Sequence, residues 1–419
     1  MPASNPTTRK RRTPAVNVLE VLLGNDLVGT LTHLPDDRTI WGFDPAYAEN
    51  AARPILSLSF KTASGGVTAD TRPTRLKVPP YFSNLLPEGH LREYLADRGA
   101  VHPEREFFLL WLLGEDLPGA VRIRPLIGDA LPPTAAAAAG ADPQIADQLL
   151  RFSLAGVQLK FSALIEADGG LTIPLRGVGG DWIAKFPAAR YAVVPENEYV
   201  MLTLAGKAGV SVPELQLVPI ADIHNVPAGA FSGSGQALVV RRFDRRADGT
   251  RIHMEDFAQV FDLYPNRKYG KASYEDMARV LWAETGEAGI REFVRRLAVT
   301  ALIGNGDMHL KNWSLLYPDR RTPVLSPAYD FVSTITYEYE PDLALSLGGT
   351  KAMEEVDEVL FRRFAQRADL PDRIVIEAAR ETAQRFREAW AKHPVTDLLP
   401  AATRDALSAH LARVPLGRS

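Results

Sequence analysis

At 419 residues, 46% hydrophobic and 24% charged, the chain has ordinary globular composition and enough length for two or three packed units. The absence of cysteine excludes disulfides, thiolate metal sites and cysteine nucleophiles, so any catalysis must use oxygen and nitrogen groups, and the eight histidines have no zinc-ligand spacing. A net charge of −3 argues against a surface-wide nucleic-acid footprint, and no apolar run approaches the ~18–20 residues of a membrane span, so a cytoplasmic protein without a membrane partner is expected.

Residues 1–14 carry Arg9-Lys10-Arg11-Arg12 among Pro, Ser and Thr and read as a solvated, disordered tail rather than a nucleic-acid-binding arm. Val18 to Leu23 reads as a strand, Gly24-Asn25-Asp26 as a hairpin turn and Leu27 to Leu31 as its return. A small β-rich unit follows, including Pro54 to Phe60, and runs into helical patterns at 83–98 and 103–113. Leu131-Pro132-Pro133 and the alanines from Ala135 mark a boundary of low chemical content, which divides a unit at 15–125 from the rest through a linker at 126–148. Strands dominate next: a hairpin of Phe161 to Glu166 with Leu171 to Pro174, a strand from Asp181 to Phe186, helix Glu196 to Ala208, and a strand from Val239 to Phe243. After Glu255 the pattern is mainly helical, at 273–285, 289–303, 355–368 and 372–392. A β-rich lobe at 149–250 followed by a helical lobe at 251–415 is the order of a bilobal kinase with nucleotide between the lobes.

The chemistry concentrates in the helical lobe. An apolar helix-like run ends at Gly304, then come Gly306-Asp307-Met308-His309-Leu310-Lys311-Asn312, a short strand from Trp313 to Tyr317, a turn, and Tyr329-Asp330-Phe331. Asp307 and Asn312 have the spacing of a protein-kinase catalytic loop, in which the Asp accepts the substrate hydroxyl proton and the Asn holds Mg²⁺, and Asp330 stands where a second metal ligand is expected. Phosphoryl transfer needs that set: a carboxylate for the nucleophile, and oxygen ligands for the metal that neutralises phosphate charge. Upstream, Trp182-Ile183-Ala184-Lys185-Phe186 puts one lysine in an apolar strand, where its charge needs an anion. ATP phosphate and Glu198 on the following helix are the natural partners, with Glu196 as the alternative carboxylate. Arg151 to Lys160 lies where a kinase keeps its phosphate loop but lacks the G-x-G-x-x-G pattern. Ser153, Ala155, Gly156, Val157 and Gln158 could still bring backbone amides to phosphate, or could form an ordinary strand turn.

Taken together, these residues resemble the HipA family, bacterial serine/threonine kinases that act as toxins of type II toxin–antitoxin pairs. The resemblance covers about residues 16–410 and includes Phe82 to Gly89 (FSNLLPEG), Ser153 to Lys160, Asn197-Glu198-Tyr199, Arg242-Phe243-Asp244-Arg245, Glu255 to Gln259, Gly306 to Asn312 and Tyr329-Asp330. It implies an α+β, protein kinase-like bilobal fold with a small N-terminal α/β subdomain, and ATP and Mg²⁺ as cofactors. It also implies that Asp307 is the catalytic Asp, Asn312 and Asp330 the metal ligands, Lys185 the phosphate lysine, and Phe243 with its neighbour Arg242 the adenine hinge. Ser153 would be a regulatory phosphoacceptor whose autophosphorylation ejects the loop. His309 either orients the loop or phosphate or braces the loop, while Gln259 and Tyr329 serve either nucleotide contact or lobe packing. One departure is Arg241, where the family commonly has an acidic residue, which puts any side-chain contact to adenine there in doubt.

The resemblance further implies a protein substrate of the translation machinery, such as an aminoacyl-tRNA synthetase, and a helix-turn-helix antitoxin as partner. Operator DNA would be reached only through that antitoxin complex. Two rivals stand beside it. The loop also resembles that of aminoglycoside and choline phosphotransferases, which usually lack such an N-terminal unit. A silent antitoxin-binding scaffold would be free to lose Asp307, Asn312, Asp330 and Lys185, all of which are present.

Overall fold

The computed structural model describes residues 16–68, 72–128, 131, 132, 135, 160–165, 171, 172, 180–187, 191, 193–226, 235–337 and 342–418. Strands β1 (Asn17–Leu23) and β2 (Asp26–His33) form the hairpin that the Gly24-Asn25 turn dictates. β3 (Arg38–Phe43), the short helix α1 (Pro45–Glu49), β4 (Thr74–Arg75), helices α2 (Pro80–Ser83), α3 (Gly89–Arg98) and α4 (Glu106–Leu113), and β5 (Val121–Pro125) complete the unit. Its sheet order is β4-β3-β2-β1-β5, and the alternation of β1 sends Leu19, Val21 and Leu23 into a core shared with Phe107, Phe108, Leu109 and Leu110 of α4.

Pro54 to Phe60, expected as part of the β-rich run, makes no strand. Its only regular piece is a 3-10 turn at Leu58–Phe60, because the Ser57 side chain accepts from Ser59 N–H and the neighbouring backbone is taken up in docking. Ile55 N–H donates to Arg320 C=O at 2.9 Å, and Leu56 C=O meets the His253 ring at 2.7 Å. The helical patterns at 83–98 and 103–113 also start later than expected, at Gly89 and Glu106.

The second sheet runs β10-β7-β6-β8-β11-β9, from β6 (Lys160–Ile165), β7 (Leu171–Thr172), β8 (Trp182–Lys185), β9 (Leu215–Pro219), β10 (Ile223–His224) and β11 (Gln236–Arg241). Helix α5 (Val194–Lys207) packs against β11 and β9. β8 lies between β6 and β11, so Lys185 sits in the middle of the sheet, opposite Leu238. The helical lobe begins with β12 (His253–Asp256) and α6 (Phe257–Val260), then α7 (Tyr274–Leu302), β13 (Ser314–Tyr317), β14 (Val324–Leu325), the hairpin β15 (Asp342–Leu347) and β16 (Thr350–Ala352), and helices α8 (Glu358–Arg367), α9 (Asp372–Lys392) and α10 (Ala401–Arg413). α7 opens on a Ser273/Asp276 capping box and is interrupted at Gly286 (φ 63°), which accounts for the two separate helical patterns in its sequence. Among the described residues no helix is long and apolar enough to cross a membrane.

The N-terminal unit docks on the helical lobe through buried polar groups. Glu255 of β12 accepts from Ser57 Oγ at 2.5 Å, Leu58 N–H at 3.0 Å and the Tyr317 hydroxyl. Gly119 N–H donates at 2.8 Å to Oδ2 of Asp244, on the connection that leads from β11 into β12, and a Cβ at Gly119 would meet the Met254 nitrogen at 2.7 Å, so this close approach requires glycine. Burial pushes the Glu255 carboxyl up to about 7 against the donors that pull it down. Its value in the unfolded chain is near 4.5. The stability this site contributes is therefore fully present below the unfolded value and is lost as pH rises through the folded one. Relative to Glu255→Gln, the wild type is expected to lose on the order of 3 kcal/mol between about pH 4 and pH 8. Urea unfolding of both proteins across that range checks this, and parallel pH profiles would remove the assignment.

Candidate active site

The loop after α7 is shaped by its own backbone partners. Gly304 closes the helix at φ 64°, where a Cβ would meet Ile335 at 2.5 Å, and its C=O accepts from Thr334 Oγ1 at 3.0 Å. Thr334 Oγ1 in turn accepts from Gly306 N–H at 2.9 Å, so one threonine stitches the Asp307 loop to the segment that follows Asp330. Asp307 N–H donates to Asn305 Oδ1 at 2.9 Å, and Asn305 Nδ2 reaches Asp330 C=O at 3.2 Å. Asn312 Nδ2 donates to Asp307 C=O at 2.8 Å, which leaves its amide oxygen as the end suited to a metal. Burial pushes the Asp307 carboxyl up to about 6, opposed by the Tyr269 hydroxyl, which donates to Oδ1 at 2.5 Å, and by Lys268.

His309 lies on the same loop with Nε2 4.0 Å from Asp307 Oδ1 and its ring edge-on to Tyr269 at 4.9 Å. Burial, with Lys268 close by, drives its pKa down to about 3, so the ring is neutral at physiological pH, and its Nδ1 is buried without a hydrogen-bond partner among the described residues.

Lys185 is the second centre. Its ammonium donates to Glu198 Oε1 at 2.5 Å and to Asp330 Oδ1, and Asp330 N–H donates to the same Glu198 oxygen at 3.2 Å. Burial works against the Lys185 charge, but the Asp330 and Glu198 carboxylates outweigh it and raise its pKa. Glu198 is held over this point because its neighbour Asn197 pairs through both ends of its amide with Ser333, at 2.9 and 3.0 Å. Asp330 adopts φ 55°, a left-handed conformation that Asp tolerates better than most residues. Glu196, the alternative partner, makes no ion pair with Lys185 among the described residues.

The other candidates fall at the edges of this arrangement. Tyr329 shares a hydrogen bond with Ser314 at 2.6 Å, donates to Lys311 C=O at 2.9 Å, and lies 5.7 Å from the Phe243 ring. Arg242 is buried against Asp244 and Asp116, and Gln259 caps α6 while its Nε2 reaches Tyr81 C=O at 2.9 Å, so packing accounts for the burial of both. Arg241 pairs with Asp181 at 3.2 Å and lies over the Trp182 ring. Ser153, Ala155, Gly156, Val157 and Gln158 lie outside the described residues, as does the basic tail.

Three contacts were invisible in the sequence. Tyr269, Lys268 and Glu88 cluster beside Asp307: Lys268 Nζ donates to Glu88 Oε2 at 2.9 Å, and Lys311 Nζ lies 3.0 Å from Glu88 Oε1. The signal for Glu88 was its place in the FSNLLPEG motif, whereas Tyr269 and Lys268 had none beyond an exposed-looking loop.

The donor set suits Mg-ATP. Two carboxylates and an amide oxygen beside a buried ammonium match a metal that takes few protein ligands and completes its shell with phosphate and water. Residues 152–390 match the HipA-like C-terminal domain and residues 19–124 the HipA N-terminal domain. The chain belongs to the HipA family. Within it, the chain is 50% identical over 408 residues to a Sinorhizobium fredii protein named "Putative kinase Y4dM", covering 97% of this chain and 99% of that one. It is 25% identical to the serine/threonine-protein kinase toxin HipA of Shewanella oneidensis, covering 93% and 92% of the two chains. The solved complex of Shewanella oneidensis HipA with HipB and operator DNA superposes with a TM-score of 0.71 at 22% identity, over 94% of this chain and 95% of that one. The fold is thus α+β, the bilobal protein kinase-like HipA fold with its N-terminal subdomain.

Proposed function

We propose that this HipA-family chain is an ATP- and Mg²⁺-dependent serine/threonine protein kinase. The observation that carries the reading is the buried Lys185 bridging Glu198 and Asp330 beside a loop that presents Asp307 and Asn312. Bound Mg-ATP supplies the γ-phosphoryl group and the charge-neutralising metal. Asp330 and Asn312 would hold the metal and Lys185 the phosphates, while Glu198 keeps the lysine aimed. Asp307 accepts the proton of the substrate hydroxyl as its oxygen bonds to the γ-phosphorus and the bond to the ADP oxygen breaks. A carboxyl near 6 is largely ionised at neutral pH yet more basic than an ordinary Asp, which suits it to take that proton.

By likeness to the Shewanella oneidensis complex of HipA with HipB and operator DNA, the partner is a helix-turn-helix antitoxin through which operator DNA is reached, and the family resemblance of the sequence motifs points to a translation-machinery protein as the substrate. Loop autophosphorylation at Ser153 would add about −1.5 to −2 charge and shut the enzyme off. Expression of the wild-type chain alone is expected to arrest growth, and Asp330→Ala, which loses a metal ligand, is expected to be harmless and inactive. Purified wild type incubated with Mg-ATP should carry phosphate on the Ser153 peptide. An equally toxic Asp330→Ala would overturn the kinase reading, and an active enzyme that never labels that peptide would remove the switch alone.

A further inference from the structure

The FSNLLPEG motif lies in the N-terminal unit, outside both lobes, and the phosphoryl-transfer scheme uses none of its residues. Its end reaches the catalytic loop. Glu88, the residue before α3, places one carboxylate oxygen 2.9 Å from Lys268 Nζ and the other 3.0 Å from Lys311 Nζ. Lys311 is further held by Asn84, through its C=O and Oδ1 at 3.1 Å each, and Asn84 Nδ2 donates to Leu263 C=O at 2.7 Å. Each lysine sits next to a residue that bonds Asp307. Tyr269 follows Lys268 and donates to the Asp307 carboxylate, and Asn312 follows Lys311 and donates to the Asp307 carbonyl. Lys268 is buried and Lys311 and Glu88 are partly buried, and although Asp256 Oδ2 also lies 3.9 Å from Lys311 Nζ, Glu88 is the carboxylate that pairs with both cations and so links the two arms.

We propose that Glu88 is a positioning residue for phosphoryl transfer, and that the N-terminal unit is thereby a working part of the catalytic site. The inference rests on the kinase reading above. The side chain touches neither nucleotide ligand nor metal ligand; it acts on Asp307 through Lys268-Tyr269 and Lys311-Asn312. The energetic state of the group fits this use: although burial opposes it, Lys311 and Lys268 hold the Glu88 carboxyl at about 2, so it is fully charged at working pH.

The test uses the full chain with Mg-ATP and compares Glu88→Gln, Glu88→Asp and the charge-balanced double variant Glu88→Gln/Lys311→Gln. Glu20→Gln, which removes the same charge from a surface pair with Arg124, serves as control. Glu88→Gln is expected to lower kcat about 10–100-fold with KM for ATP unchanged, and to speed hydrogen exchange at residues 305–313. Glu88→Asp should recover part of kcat, and Glu20→Gln should match wild type. Wild-type kcat and exchange in Glu88→Gln, or a loss confined to ATP affinity, would overturn the proposal. If Glu88→Gln does not fold, the double variant decides: full kcat there overturns it, and a low kcat with fast loop exchange supports it. Should the wild type transfer no phosphate at all, the kinase reading falls, and loop exchange alone decides whether Glu88 holds Asp307.

Discussion

Asp307→Asn is expected to lower phosphoryl transfer by about 10²–10⁴-fold, the usual contribution of a positioned general base. Asparagine keeps the shape and can still accept from Tyr269 through its amide oxygen, and the backbone contacts to Asn305 and Asn312 do not involve the carboxylate. The fold and Mg-ATP affinity should therefore survive, so the loss falls on kcat. Single-turnover kinetics with calorimetric titration of Mg-ATP separates the two. A folded Asp307→Asn protein with wild-type transfer would mean that another group takes the proton.

Lys185→Met is expected to fail in a different way. The substitution keeps a long apolar stem in the middle of the sheet but removes the only cation bonded to both Glu198 and Asp330 among the described residues. Glu198 is buried, and burial already pushes it towards protonation, with Lys185 opposing. Breaking such a buried set by removing one partner costs about 3–5 kcal/mol. The variant should thus lose both stability and ATP affinity, whereas Asp307→Asn should lose neither. Thermal unfolding with and without Mg-ATP measures both effects, and an unchanged melting temperature without nucleotide would show that Glu198 finds another partner.

The residues that could be read from sequence were those whose chemistry is local in the chain. Asp307 and Asn312 share one loop, Asp330 follows at the next extended segment, and Lys185 announces itself as a charge in an apolar strand with Glu198 on the next helix. Tyr269 and Glu88 could not be read that way, because Tyr269 meets Asp307 across 38 positions and Glu88 meets Lys268 across 180. No periodicity reports such pairings. Pro54 to Phe60 misled for a related reason: its apolar pattern suits a strand, but its backbone groups are spent on Arg320, Glu255 and His253, far away in sequence. The β15–β16 hairpin and α10 escaped notice because short strands and an evenly mixed helix leave weak patterns.

The docking of the N-terminal unit bears on how nucleotide enters and leaves. Its contacts named above, from Asp116 and Gly119 at one end to Ser57 and Glu88 at the other, land on residues 242–320 and none on the strands of the six-stranded sheet. The unit and the helical lobe therefore form one jaw, which carries Asp307 and its supports. The sheet strands with Lys185 form the other, joined to the first across the Lys185–Asp330 ion pair and along α5, whose Val200, Leu204 and Ala205 pack in the core of the helical lobe and whose Asn197 bonds Ser333. Under the kinase reading, an opening that admits nucleotide would bend the sheet strands about α5, and Asp307 with its supports would stay with the N-terminal unit.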